Sequence, residues 1–310
     1  MRLMEQRLKY LMPDSLVAER LPIGLEPVIA NASRERFVNY YQDNYTPENM
    51  VFIVVGDCDV AEIESHIQAS FSSMQEPEQT PPSPDLGPLP GGFGFRVAVF
   101  SDEEVSADSL SLSTLRPYKP ENDTIENRNK YLPIEVAYAI LNRRFEILSK
   151  AEGSPISGGS AGQSFWLNAI ENHSIGVSPE EAKWPEAVAI LEQTLRRALS
   201  YGFTQAEVDE IKAIQLNAME EAVKAAATRK SPALASGLLN AVNEDYVFNH
   251  PEESLRIYKL GEALITPEAC HQALQAAWAD ADLNLILTTK SETESTRETL
   301  KERYQASQQI

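Results

Sequence analysis

An α+β protein, built from duplicated α/β modules in which helices pack an antiparallel-rich sheet, is the fold class that this 310-residue sequence predicts. Three observations predict it. Short alternating or apolar runs of strand length are interleaved with longer stripes of helical period. A proline-rich stretch divides the chain. Residues 33–56 and 266–289 match in pattern without a gap at a constant offset of 233 residues, the mark of an internal repeat.

In chain order, Arg34 to Asp43 reads as a helix carrying Phe37, Val38, Tyr40 and Tyr41, followed by the turn Thr46-Pro47-Glu48-Asn49. The apolar run MVFIVVG is of strand length and is stopped by Gly56-Asp57. Val60 to Phe71 is an amphipathic helix through Ile63, Ile67 and Phe71. Residues 75–92, QEPEQTPPSPDLGPLPGG, hold six of the nineteen prolines and read as an extended, semi-rigid linker.

Beyond the linker, FRVAVF and SLSLSTL read as two strands. Ile134, Tyr138, Leu141, Phe145 and Leu148 recur at steps of four and three, a helix with one core-facing stripe. The run Ser157 to Gly162 reads as a turn, with strand candidates at 163–169 and 173–177. Trp184, Val188, Leu191, Leu195 and Leu199 define a helix ending near Gly202. Thr204 and Glu207 have the spacing of a capping box that opens a long Ala-rich helix. Thr266-Pro267 opens another, with threonine as cap and proline at the first helical position.

In the repeat, Leu274 falls on Tyr41, Trp278 on Tyr45, and Leu283, Leu285 and Leu287 on Met50, Phe52 and Val54. If the second module starts near Phe93, the first should start about 140 residues ahead of Met1. The expected organisation is therefore a C-terminal remnant of a first module over 1–74, the linker over 75–92, and a complete second module over 93–310. The two repeat segments should form the same helix-strand unit. The first should show an incomplete sheet or an exposed apolar face, a surface that invites dimerisation or coverage by another chain.

Composition excludes several functions. Lys plus Arg number 27 against 46 carboxylates, a formal charge of −19 and a pI near 4.7, which lacks the positive field that nucleic acid or anionic lipid requires. No stretch approaches the roughly 20 apolar residues of a membrane span, and the first residues lack the apolar core of a signal segment. Nucleic acid and membrane are thus not expected partners. Cys58 and Cys270 form no Cys-x-x-Cys and read as buried thiols. His66, His173, His250 and His271 offer no pair on one helix face, and His250 before Pro251 reads as a helix-entry residue rather than as a metal ligand with Glu253. Phosphate-loop, Gly-x-Ser-x-Gly and GxGxxG patterns are absent from the sequence.

The segment Arg20-Leu21-Pro22-Ile23-Gly24, then Tyr45-x-Pro47-x-Asn49-Met50, and the run ending at Gly56-Asp57 resemble the closing part of the catalytic module of the pitrilysin/insulinase family of zinc peptidases. ILNRRFEILSKAEGSP and YGFTQAEVDEIK are similar to that family's non-catalytic second module, where a G-x-T-x-x-E-x-x-x-x-K segment starts a long helix. The resemblance implies a metallopeptidase-like (pitrilysin/insulinase) fold and a chamber that takes a peptide or protein substrate. It also implies zinc in the complete family protein, held by an H-x-x-E-H helix whose glutamate is the base for a zinc-bound water. This chain has no H-x-x-E-H, and the corresponding helix YLPIEVAYAILNRRF carries Glu135 without a histidine.

The family's Arg and Tyr donors to the reacting carbonyl are likewise missing from FEILSKAEGSPISG, and Arg143 and Arg144 just upstream read as surface charges. No catalytic and no metal-ligating residue is therefore assigned, and no zinc is expected on this chain alone. Pro22, Ile23, Gly24, Tyr45, Pro47, Asn49, Gly56 and Asp57 are assigned as structural motif positions. The implied function is the inactive portion of a zinc-dependent metallopeptidase, completed by the missing front half or another family module, with the periplasm as the favoured compartment. The alternative is a non-enzymatic assembly subunit derived from the same family. An H-x-x-E-H upstream of Met1 in the reading frame supports the first; a natural start at Met1 supports the second.

Overall fold

A computed structural model of the chain describes residues 2–74, 85–279 and 281–309. In chain order the helices before the linker are α1 (Arg2–Leu11), α2 (Leu16–Glu19), α3 (Glu26–Asn31), α4 (Arg34–Asn44) and α5 (Val60–Phe71). Then follow β1 (Arg96–Ser101), β2 (Ser109–Pro117), α6 (Ile125–Ser149), β3 (Ile156–Trp166), β4 (Ile170–Pro179), α7 (Trp184–Tyr201) and α8 (Gln205–Lys224). The chain continues with α9 (Ser231–Asn243), α10 (Pro251–Gly261), α11 (Pro267–Trp278), β5 (Asn284–Thr289) and α12 (Thr296–Ser307).

The five strands form one sheet in the order β1-β5-β2-β4-β3. Only β1 with β5 is parallel; the other three pairings are antiparallel, as the sequence predicts. Period-two alternation gives the sheet two apolar faces. Val97, Leu110, Leu112, Ile175, Leu285 and Leu287 face the main core, which the stripes of α6, α7, α11 and α12 cover. Ala98, Leu115, Ile170 and Ile286 face the other side, where Leu11 and Met12 close a smaller core. Arg96 fixes that junction. Its guanidinium donates to the carbonyls of Tyr10 and Leu11 and lies over the Tyr10 and Phe93 rings.

The caps fall where the sequence puts them. Thr204 and Glu207 complete a reciprocal capping box, and Thr266 caps α11 through the Ala269 N–H. His250 caps α10, its Nδ1 accepting from the Glu252 N–H, while Glu253 pairs with Arg256. Residues 75–84 of the expected linker lie outside the described residues. Its remaining part returns to the N-terminal segment, where the Leu86 carbonyl accepts from the Leu16 N–H and the Ser15 hydroxyl.

Four expectations are corrected. Ser157 to Gly162 is strand, not turn: a Cβ on Gly159 would lie 2.7 Å from Cγ of Phe145, so the glycine lets β3 pass close under α6. The helix expected from Ile134 begins at Ile125 and runs through Pro133. Cys58 is exposed, and only Cys270 is buried. The apolar run 51–55 is extended but pairs with no strand among the described residues.

That last difference has a plain cause. The helices of the two repeat copies begin 233 residues apart, at Arg34 and Pro267, each behind a hydroxyl cap from Ser33 or Thr266. Residues 51–56 correspond to β5 at 284–289. In the second copy Leu274, Leu285 and Leu287 are fully buried, whereas Tyr41, Phe52 and Val54 are 54, 47 and 52% exposed. The same pattern becomes a central strand where neighbours exist and an open ribbon where they do not. Phe52 finds only Phe71 of α5, ring centroids 4.6 Å apart.

Candidate functional site

A cavity of about 690 Å³ opens between α6, β3, α8, α10 and the loop Glu244–Tyr246. Its size suits a peptide side chain with part of its backbone. α6 supplies one wall because Pro133 lies inside the helix; lacking an N–H, it leaves the Asn129 carbonyl without its usual donor one turn away. Gly261 lets α10 approach α6, since a Cβ there would lie 2.5 Å from a Leu132 methyl. The aromatic corner is Phe165 with Tyr118 at 4.4 Å and Tyr131 edge-on at 6.1 Å.

Behind that lining runs a polar chain. Trp278 Nε1–H donates to the Tyr138 hydroxyl at 3.2 Å, and that hydroxyl donates to Nδ1 of His173 at 2.8 Å. His173 Nε2 then faces Glu171 at 3.3 Å, and Gln163 donates to the same carboxylate at 2.5 Å. This donor order puts the imidazole proton on Nε2. The hydrogen bond from His173, followed by the His173 and Arg116 charges, holds the Glu171 carboxyl below its ordinary range despite partial burial. Burial raises the Tyr138 hydroxyl above its ordinary value.

Carboxylates outnumber bases on the cavity wall. Glu121 is held below its ordinary pKa by Lys130 and the Tyr131 hydroxyl, and Asp123 by Arg128. Glu135 has neither ion pair nor hydrogen bond among the described residues, and the cleft pushes its carboxyl up by desolvation even though the residue keeps a solvent-facing surface.

The donor set here does not fit zinc. With Glu135 as the glutamate of an H-x-x-E-H helix, the imidazoles would stand at 132 and 136, which are the buried Leu132 and Val136. His66 is exposed on α5, His173 is spent on Tyr138 and Glu171, His250 caps α10, and His271 bonds the Leu199 carbonyl. No group of three metal-binding side chains occurs among the described residues. Arg143 pairs with Glu146 and Glu210 at the surface, but Arg144 is half-buried, bonded to both Glu207 oxygens and set over Phe203, which makes it a helix-helix tie rather than a solvated charge.

None of the eight motif positions lines the cavity. Pro22, Ile23 and Gly24 form an exposed turn in which Gly24 takes φ +73°. Tyr45 ends α4, Pro47 and Asn49 make the following single turn, and Gly56 and Asp57 end the open ribbon. The sequence reading reached Glu135 but missed Tyr138, His173 and Glu171 as one group. The available signal was two polar residues, 171 and 173, on the same face of a strand as Ile175 and Val177.

The family model described as peptidase M16 inactive domain matches residues 31–215, more than half of the chain. The probable zinc protease PqqL of Escherichia coli K12 is 26% identical over 262 residues, 83% of this chain and 28% of that protein. The crystal structure of the first half of the periplasmic protease PqqL from Escherichia coli aligns with a TM-score of 0.85 at 22% identity, covering 98% of this chain and 66% of that one. The ferredoxin protease FusC, solved in complex with Arabidopsis ferredoxin, aligns with a TM-score of 0.74 at 16% identity, covering 99% of this chain and 34% of that one. This chain thus spans well under half of the curated PqqL relative. No helix among the described residues is long and apolar enough to cross a membrane. The extent of the family match, joined to a fold shared along nearly its whole length, makes the chain a member of the peptidase M16 (pitrilysin/insulinase) family, carrying that family's inactive domain.

Proposed function

We propose that this chain forms part of the substrate chamber of a zinc-dependent metallopeptidase, with the hydrolytic centre supplied by the front half of the catalytic-type module. Residues 1–74 are the rear of that module, 75–92 the linker and 93–310 a complete module without chemistry of its own. The observation that carries this reading is the opposite burial of the two repeat copies: the second is sealed in a sheet, and the first offers the same apolar strand to strands it lacks. Leu132 and Val136, where imidazoles would stand, account for the silence of the second module.

In this role the chain orients and encloses substrate, and its motif positions from Pro22 to Asp57 shape the turns at the module junction. Zinc, where the complete protein holds it, supplies the Lewis acid and the activated water. A peptide or protein substrate and a periplasmic setting are the parallels drawn from FusC with its ferredoxin and from PqqL.

The test supplies the H-x-x-E-H half of the catalytic module in trans. The chain alone should cleave no peptide; the mixture should bind zinc, gain peptidase activity and protect the amides of 51–56 from hydrogen exchange. Stoichiometric zinc binding by the chain alone, or unchanged exchange on mixing, overturns the proposal.

A further inference from the structure

The cavity beside α6 has a chemistry that an inert wall does not require. Its lining holds five carboxylates, Glu121, Asp123, Glu135, Glu244 and Asp245, against the single guanidinium of Arg128. Arg128 is committed to Asp123 and the Val247 carbonyl, and Glu121 is committed to Lys130 and Tyr131. Glu135, Glu244 and Asp245 are left without a side-chain partner among the described residues. A second observation is independent of charge: Asn129 lines the same cavity at 8% exposure, and its carbonyl oxygen Oδ1 receives no donor. Both demands are for N–H donors carrying positive charge.

The aromatic lining selects among cations. Phe165, 41% exposed, stands between Tyr118 and Tyr131, with Tyr258 across the cavity on α10. Ring faces beside a carboxylate favour a flat or compact organic cation. They supply none of the oxygen ligands that a hard metal ion needs. The cavity also runs onto Gly162, Gln163 and Phe165 of β3, the last strand of the sheet, whose outer edge has no strand neighbour. An extended chain beside that edge can turn a side chain into the cavity.

We infer that this cavity receives a basic side chain, arginine or lysine, of a bound peptide, with Glu135 as its counter-ion and the Phe165 corner as its wall. The inference rests on the chamber reading and deepens it, making the inactive module a selector for basic residues.

The test is calorimetric titration of the intact chain with a neutral hexapeptide containing one arginine and with the same peptide carrying citrulline, which keeps the shape and loses the charge. The arginine peptide should bind about tenfold tighter. Glu135→Gln should bring the two within about twofold, Glu244→Gln should narrow the gap in part, and the exposed control Glu103→Gln should leave it intact. Circular dichroism of each variant should match the parent.

Equal binding of the two peptides, or a preference that survives Glu135→Gln, overturns the inference. Spermidine or free arginine amide binding as tightly as the peptide overturns its peptide part. If both peptides bind without preference, the chamber reading stands and the selector falls. If neither binds, the selector falls, and the in-trans assembly experiment separately decides the chamber.

Discussion

Tyr138 is buried and sits in the middle of a donor chain, so its hydroxyl has two partners to lose. Tyr138→Phe strands the Trp278 N–H and the His173 Nδ1 lone pair, and urea unfolding should show a loss of about 2 kcal/mol. Glu171 gives the chain its pH dependence. Its folded-state pKa is depressed, first by the His173 hydrogen bond, so its stabilisation is complete above the ordinary glutamate value of about 4.3 and drains as pH falls through the lower folded value. Glu171→Gln should therefore be less stable than the parent at pH 6, with the gap closing as pH is taken below about 4, followed by thermal melts across that range. At this scale the sequence was only half legible. Period and caps identify Tyr138 as a core residue, but nothing in the chain order brings it to a histidine 35 residues away.

Whole elements are set by local chemistry and then adjusted by packing. The caps at Thr204, His250 and Thr266, and the alternation in β2, could be read directly because each depends on residues within a few positions of one another. β3 and the start of α6 could not. A glycine run signals a turn, and a proline signals a helix end, unless a neighbouring element needs the close approach. Gly261 tests that principle on α10. Alanine there gains about 1 kcal/mol of helix propensity. Its Cβ would meet the Asn129 amide at 2.6 Å and the Leu132 methyl at 2.5 Å, an overpacking cost of about 1–3 kcal/mol. The clash should win: Gly261→Ala should lower the melting midpoint and weaken peptide binding by prising α10 from α6.

Taken as one molecule, the chain is a closed sheet module joined to an open ribbon. The repeat made that asymmetry visible in the sequence, since it matched Phe52 and Val54 with residues that lie in a core. Phe52 and Val54 should dominate any association of the isolated chain. Replacing both with aspartate should shift its sedimentation toward monomer and abolish protection by the front half, with little change in the unfolding midpoint, because neither side chain is buried here.

The sheet order carries one more implication. β5, drawn from the last tenth of the chain, lies between β1 and β2, with Val97 paired to Leu285 across 188 residues. During synthesis the ribosome must therefore finish almost the entire polypeptide before the middle of the sheet exists. Until then β1 and β2 wait as unzipped edges, so nascent chains of this protein depend on chaperone shelter late in translation, and a premature stop only a few codons short of β5 removes the keystone rather than trimming an end.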